Sequence, residues 1–94
     1  MASIRDLKKE INNLVVQIIE QAFQYQVSHP NSDAYKEADR IIDDAVALRD
    51  DTIDRIYAAD ELDKEKVRSH FAELKESFQK KSLDLVERLD KLPD

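Results

Sequence analysis

Apolar residues recur every three or four positions along this chain, in three stretches separated by polar segments. The first line is Ile4, Leu7, Ile11, Leu14, Val15, Ile18 and Ala22. The second line is Tyr35, Ala38, Ile41, Ile42, Ala45, Leu48, Ile53, Ile56 and Ala59. The third line is Val67, Phe71, Leu74, Phe78, Leu85, Leu89 and Leu92. This period is typical of amphipathic helices that turn one face toward a core.

Capping and breaking residues place the ends of these helices. Ser3 is a candidate cap for the first helix, and Pro30 disfavours helical geometry at the residue before it. Ser32 or Asp33 can cap the second helix. The predicted helices span residues 4–28, 33–59 and 64–91.

The second break is the less distinct of the two, because the stretch "YAADELDKEK" contains no Gly or Pro. Its prediction rests on Asp60 and Asp63 as capping candidates and on a change of helical phase. One continuous helix through this stretch is the alternative. With the break, residues 1–94 form one all-α domain: three long helices, each roughly 40 Å, in an up-down-up antiparallel bundle.

Two aromatic residues favour the third helix as the main source of core stability. Phe71 and Phe78 lie one heptad apart on its apolar line. Each is expected to bury more area than the alanines of the second helix.

The first helix carries more apolar residues than one face requires. A second line runs through Val16, Ile19, Phe23 and Val27, rotated by about 90–150° from the main one. Outside this helix, three more apolar residues lie off their lines, toward the end of the bundle that holds the first loop: Val46, Leu83 and Val86. Broad apolar stripes are one explanation, since each helix touches two others. The other is an interface, and we predict that the second line forms a homodimer contact or binds a helical partner.

Composition excludes several classes of site. The chain has no Cys and no Gly, which excludes disulfides, thiolate zinc sites, P-loops and the dinucleotide fingerprint. No apolar run approaches the roughly 20 residues of a membrane span, and the N-terminus has no hydrophobic signal segment. A cytoplasmic location is therefore expected.

Acidic charge is concentrated in the middle of the chain. Residues 33–63 hold 4 basic and 11 acidic residues, net −7, against −6 for the whole chain. Six aspartates of the second helix form its candidate acidic face: Asp39, Asp43, Asp44, Asp50, Asp51 and Asp54. They are either a solvated face or a docking surface for a basic partner. The second interpretation predicts an acidic decoy or regulator of a nucleic-acid-binding protein, whereas direct nucleic-acid binding is disfavoured by charge.

Arg49 falls within the apolar face of the second helix. One interpretation is that its stem packs while the guanidinium reaches water. The other is a charge pair inside a bundle or dimer seam, where antiparallel geometry offers three partners: Glu10, Asn12 and Glu73.

Candidates for chemistry are few. His29 lies in the first loop and His70 at the start of the third helix, so an up-down-up bundle keeps them apart. A zinc site or a hydrolytic triad cannot be assembled from them. A line of aspartates on one convex helix binds divalent cations weakly at best. We therefore predict no catalytic, cofactor-binding or metal-binding residue, and a non-enzymatic interaction protein.

The opening "SIRDLKKEINNLV", the long middle helix and the "HPNSD" break resemble a group of small, uncharacterised, conserved bacterial proteins. The resemblance covers the whole chain. It implies a cytoplasmic all-helical protein and supplies no activity, ligand or functional residue.

Overall fold

A computed structural model describes residues 4–93, with the side chain of Asp60 excepted. It contains three helices: α1 (Ile4–Ser28), α2 (Tyr35–Ala58) and α3 (Lys64–Asp90). They form an elongated bundle of 51 × 19 × 18 Å. The predicted all-α fold of three long helices is confirmed, with each end within two residues of its predicted position.

The first break forms a short loop at Pro30, as expected, but α2 begins later than predicted. Its N-cap is Ala34, not Ser32 or Asp33, and no side chain caps it. The Ser32 hydroxyl instead accepts the Ala34 N–H at 3.1 Å, while the Ser32 carbonyl accepts the Tyr35 N–H at 3.1 Å. Ser32 therefore stabilises the turn before the helix. The predicted cap of α1, Ser3, lies outside the described residues.

The second break is real, so the continuous helix is wrong. The chain leaves α2 through one 3₁₀ turn, Ala59–Glu61, and then becomes extended at Leu62 (ψ 152°) and Asp63 (ψ 151°). Asp63 is the N-cap of α3, as predicted, and its carbonyl accepts the Val67 N–H at 3.0 Å. Its side chain makes no capping hydrogen bond.

Contacts between helices show the up-down-up order. Gln26, near the end of α1, binds Asp39 near the start of α2, so these helices are antiparallel. Arg88 near the end of α3 binds Glu37 near the start of α2. The Tyr25 hydroxyl donates to the Pro93 carbonyl, which brings the C-terminal ends of α1 and α3 together.

The core lies mainly between α1 and α2. The largest fully buried side chains all belong to these two helices: Val15, Ile11, Ile18, Ile41 and Ile56. From α3 the buried apolar residues are Leu74, Phe78 and Leu85, whereas Phe71 is only partly buried. Burial therefore does not support α3 as the main source of core stability.

Three polar residues are buried at positions where the apolar lines have no apolar residue: Gln26, Thr52 and Ser82. The Thr52 hydroxyl donates to the Leu48 carbonyl one turn earlier at 2.7 Å. The Ser82 hydroxyl donates to the Gln79 carbonyl at 3.0 Å. Bonds of this kind let small hydroxyl residues sit inside a core. Two predicted core residues, Ile4 and Tyr35, are instead exposed.

Candidate interaction surface

The second apolar line of α1 is largely accessible. Val16, Phe23 and Val27 are 45%, 59% and 67% exposed. The fourth predicted contact residue, Ile19, is partly buried and packs against the core. Of the four predicted partner-binding residues, Val16, Phe23 and Val27 are therefore accessible to a partner, whereas Ile19 also contributes to the core.

Two side-chain contacts fix the register between α1 and α2. Gln26 Nε2 donates to Asp39 Oδ1 at 2.5 Å. At the other end, Lys8 Nζ donates to the Tyr57 hydroxyl and lies 4.1 Å from the centroid of its ring. Antiparallel helices tied at these two points place Ile19 level with Val46. The apolar half of α1 therefore lies beside the first half of α2.

The first half of α2 adds apolar surface to this side of the bundle. Val46 follows Asp39 by seven residues, or two turns, and so lies on the side of α2 that adjoins α1. It is 37% exposed. Tyr35 at the start of α2 and Tyr57 in its last turn are 38% and 56% exposed. We call this combined surface the α1–α2 face: Val16, Ile19, Phe23 and Val27 from α1, with Tyr35, Ile42, Val46 and Tyr57 from α2.

The other surplus apolar residues lie elsewhere. Leu83 is 58% exposed and lines an open groove of about 830 Å³ between α2 and α3. Val86 is partly buried against the core. The surplus is therefore not one continuous patch at the first-loop end, and the α1–α2 face holds most of it.

All six predicted aspartates are exposed, but several are held by arginines of the same chain. Asp44 pairs with Arg88 at 2.7 Å, and Asp51 pairs with Arg55 at 3.2 Å. Both aspartates line the groove between α2 and α3. The acidic residues are thus divided between two sides of α2, so they do not form one stripe.

Arg49 is a surface residue. Its Nε and Nη2 atoms donate to Asp50 Oδ1 at 3.3 and 3.1 Å, and its side chain is 39% exposed. Within one chain the guanidinium binds its sequence neighbour, so the alternative of a pair with Glu10, Asn12 or Glu73 inside the bundle is wrong. A pair across a dimer seam stays a prediction. A packed stem with a charge that reaches water agrees with this geometry.

Arg88 was missed by the sequence pattern, although it joins two helices. Its Nε and Nη2 atoms donate to Glu37 Oε1 at 3.1 and 2.9 Å, and Nη1 donates to Asp44 Oδ2 at 2.7 Å. The hydrogen bond to Asp44, with further support from Glu37, raises the pKa of Arg88 above its ordinary value. The only sequence signal was a cation one turn beyond a core position of α3.

The two histidines bind backbone carbonyls. His29 stacks on Tyr25 with ring centroids 4.4 Å apart, and its Nδ1 lies 3.2 Å from the Tyr25 carbonyl. His70 Nε2 lies 2.7 Å from the Arg55 carbonyl, at the other end of the bundle. Among residues 4–93, no group of three or more His, Asp or Glu side chains is placed to hold a metal ion.

None of the helices in the described part of the chain combines the length and apolar character that a bilayer crossing requires. Most of the large apolar residues that are exposed among residues 4–93 belong to the α1–α2 face. No protein-family model, no curated protein and no solved structure matches this chain.

Proposed function

We propose that this protein is a non-enzymatic, self-associating helical protein whose α1–α2 face binds a second copy of the chain. The observation that supports the proposal is the exposed line Val16, Phe23 and Val27 on α1. Contiguous exposed apolar patches on soluble proteins mark sites of protein–protein contact. We place the association in the cytoplasm, where a chain without cysteine needs no oxidising environment.

The free energy of burying the α1 strip shows how much more surface a dimer contact needs. Complete burial of one such side chain is worth about 1.5–3 kcal/mol, and these three are roughly half exposed. Two copies of the strip therefore contribute about 5–10 kcal/mol in total. Association costs about 4–15 kcal/mol in lost freedom, so the α1 strip by itself only matches that cost. Residues of α2 must add to the contact.

Sedimentation equilibrium tests the proposal. The parent is expected to be a dimer at micromolar concentration, and Phe23→Glu with Val27→Glu is expected to be a folded monomer. Ile19 is left unchanged because it also packs in the core. The matched control is Leu83→Glu, an equally exposed leucine on α3, which should leave the mass unchanged. A parent that is monomeric at high micromolar concentration would contradict the proposal.

The alternative function is an acidic decoy or regulator that docks on a basic nucleic-acid-binding protein. It is favoured by the exposed Asp39, Asp43 and Asp54 on α2, and it is weakened by the arginine pairs of Asp44 and Asp51. Ionic strength separates the two functions. Binding through aspartates should weaken strongly between 0.05 and about 0.5 M salt, whereas association through apolar residues should persist.

A further inference from the structure

We propose that the two copies pack with their two-fold axis parallel to the helices. In this arrangement α1 of each copy packs side by side against α2 of the other copy. This proposal rests on the self-association proposed above and specifies its geometry. The result is a four-helix core of two α1 and two α2 helices in which every neighbour is antiparallel. α3 lies on the outside of each copy.

Apolar residues on the two helices lie at matching heights. The contacts Gln26–Asp39 and Lys8–Tyr57 tie α1 and α2 so that Phe23 is level with Ile42 and Ile19 with Val46. A two-fold axis parallel to the helices leaves every residue at its own height. The strip from Val16 to Val27 of one copy then covers the segment from Tyr35 to Val46 of the other, where it meets Tyr35, Ile42 and Val46 together with the exposed Asp39 and Asp43.

Charge favours the same arrangement. The first half of α1 carries exposed Arg5 and Lys9 together with partly buried Lys8. The second half of α2 carries exposed Asp54, and exposed Asp50, which Arg49 of the same chain binds at 3.1 Å. At matching heights, the basic end of one α1 lies over the acidic end of the other copy's α2. Opposite charges across an interface suppress wrong pairings and favour this register.

The area also agrees with a stable dimer. Overlap along all 25 residues of α1 gives a length of about 37 Å at 1.5 Å per residue. The bundle is 19 Å wide, so the overlapping faces have a projected outline of about 700 Å². Stable interfaces bury about 800 Å² per partner.

The competing arrangement has its two-fold axis perpendicular to the helices. It packs α1 against α1 of the other copy and α2 against α2 of the other copy, so that the exposed aspartates of two acidic helices share one interface. Centred on the apolar half, it also lets the copies overlap along only about half of α1, which reduces the shared outline to about 350 Å². Repulsion and the smaller area both disfavour it.

Spin-label distances distinguish the two axes, and the absence of native cysteine makes single labels simple to introduce. Three exposed α1 positions spaced by heptads serve as sites, in the variants Glu10→Cys, Gln17→Cys and Gln24→Cys. With the axis parallel to the helices, the distance between the two copies' labels is the same for all three variants. With the perpendicular axis, each residue away from the axis adds about 3 Å to the axial separation, so the three distances differ.

The outcomes separate this proposal from the one it rests on. The mass of each labelled variant is measured first by sedimentation. A dimer with three similar distances supports the parallel axis, and a dimer whose distances differ by more than about 10 Å overturns it while leaving self-association intact. If the parent and all variants are monomeric, self-association and the parallel axis are both overturned. A parent that associates only with a different helical protein would overturn both as well.

Discussion

The Gln26 side chain is buried at the end of α1 and bridges to α2, donating to Asp39 Oδ1 at 2.5 Å and to the Tyr35 carbonyl at 3.2 Å. Both bonds come from the same Nε2 atom. The amide therefore ties the last turn of α1 to the first turns of α2. It sets the height at which the two apolar segments of the α1–α2 face meet.

Gln26→Ala should destabilise the fold by about 1–3 kcal/mol, because it removes both hydrogen bonds and leaves space in the core. For a chain of this size, each kcal/mol lowers Tm by about 4–8 °C. Thermal unfolding by circular dichroism measures the change. The control is Gln24→Ala, an exposed glutamine on the same helix, and equal Tm values for the two variants would contradict the role given to Gln26.

The hydrogen bonds of Arg88 to Glu37 and Asp44 should hold α3 against α2. Arg88→Met keeps much of the stem but removes the hydrogen bonds to Glu37 and Asp44, and it should cost about 1–2 kcal/mol in urea unfolding. Arg68→Met, at an exposed position of α3, should cost much less. Equal urea midpoints for the two variants would show that the Arg88 contacts are surface pairs without net effect.

The pH dependence of the Arg88 contribution follows from the direction of its pKa shift. The pKa of Arg88 is raised in the folded state, mainly by the hydrogen bond to Asp44. A raised pKa means that the stabilisation is complete below the ordinary arginine value and is lost only as pH rises through the still higher folded value. The difference in stability between the parent and Arg88→Met should therefore stay constant from pH 7 to about 10, well below the ordinary arginine range.

The two phenylalanines of α3 should differ in their effect on stability. Phe78 is 8% exposed, whereas Phe71 is only partly buried. Phe78→Ala should cost about 3–5 kcal/mol, a large share of the 5–15 kcal/mol typical of a domain, and Phe71→Ala should cost clearly less. Urea unfolding of both variants tests this order. The reverse order would mean that burial along α3 has been placed one heptad wrong.

The helices could be predicted because their period is a property of local sequence, and most of the apolar lines in α1, α2 and α3 became core. The polar residues at buried positions within those lines could not be predicted in the same way. Gln26 follows Ala22 by one turn, and Thr52 lies midway between Leu48 and Ile56, so spacing alone marked both as inward. Their polar side chains argued against burial. Only the structure shows that the Gln26 amide donates to the Asp39 carboxylate and the Thr52 hydroxyl to the Leu48 carbonyl.

Contacts between helices were the least predictable. Arg88 and Glu37 are separated by 51 residues, so their pairing depends on how α2 and α3 are rotated against each other. Arg49 lies among apolar residues on a helical wheel, which left two interpretations open, a packed stem with a solvated charge or a charge pair in a seam. Its long side chain nevertheless reaches Asp50 at the surface. The exposed strip of α1 was identifiable in advance because it depended on one helix only.

The proposed dimer predicts a charge pair between copies, Lys9 of one chain with Asp54 of the other. Both residues are exposed, and the register of α1 against α2 places Lys9 level with Ile56, about half a turn from Asp54. Each exposed pair is worth about 0.2–1 kcal/mol, and the two-fold axis makes two of them. Lys9→Glu should therefore weaken the dimer roughly 2- to 30-fold, since 1.4 kcal/mol is tenfold in affinity.

Asp54→Lys alone should weaken the dimer to a similar extent, and the double variant Lys9→Glu with Asp54→Lys should recover most of the loss, because the pair is restored with its signs exchanged. The control is Lys66→Glu on α3, which changes net charge by the same amount on a surface outside the proposed core. Dissociation constants from sedimentation at low salt measure all four variants. Losses that add in the double variant would show that Lys9 and Asp54 do not meet, and would remove the charge argument for the parallel axis.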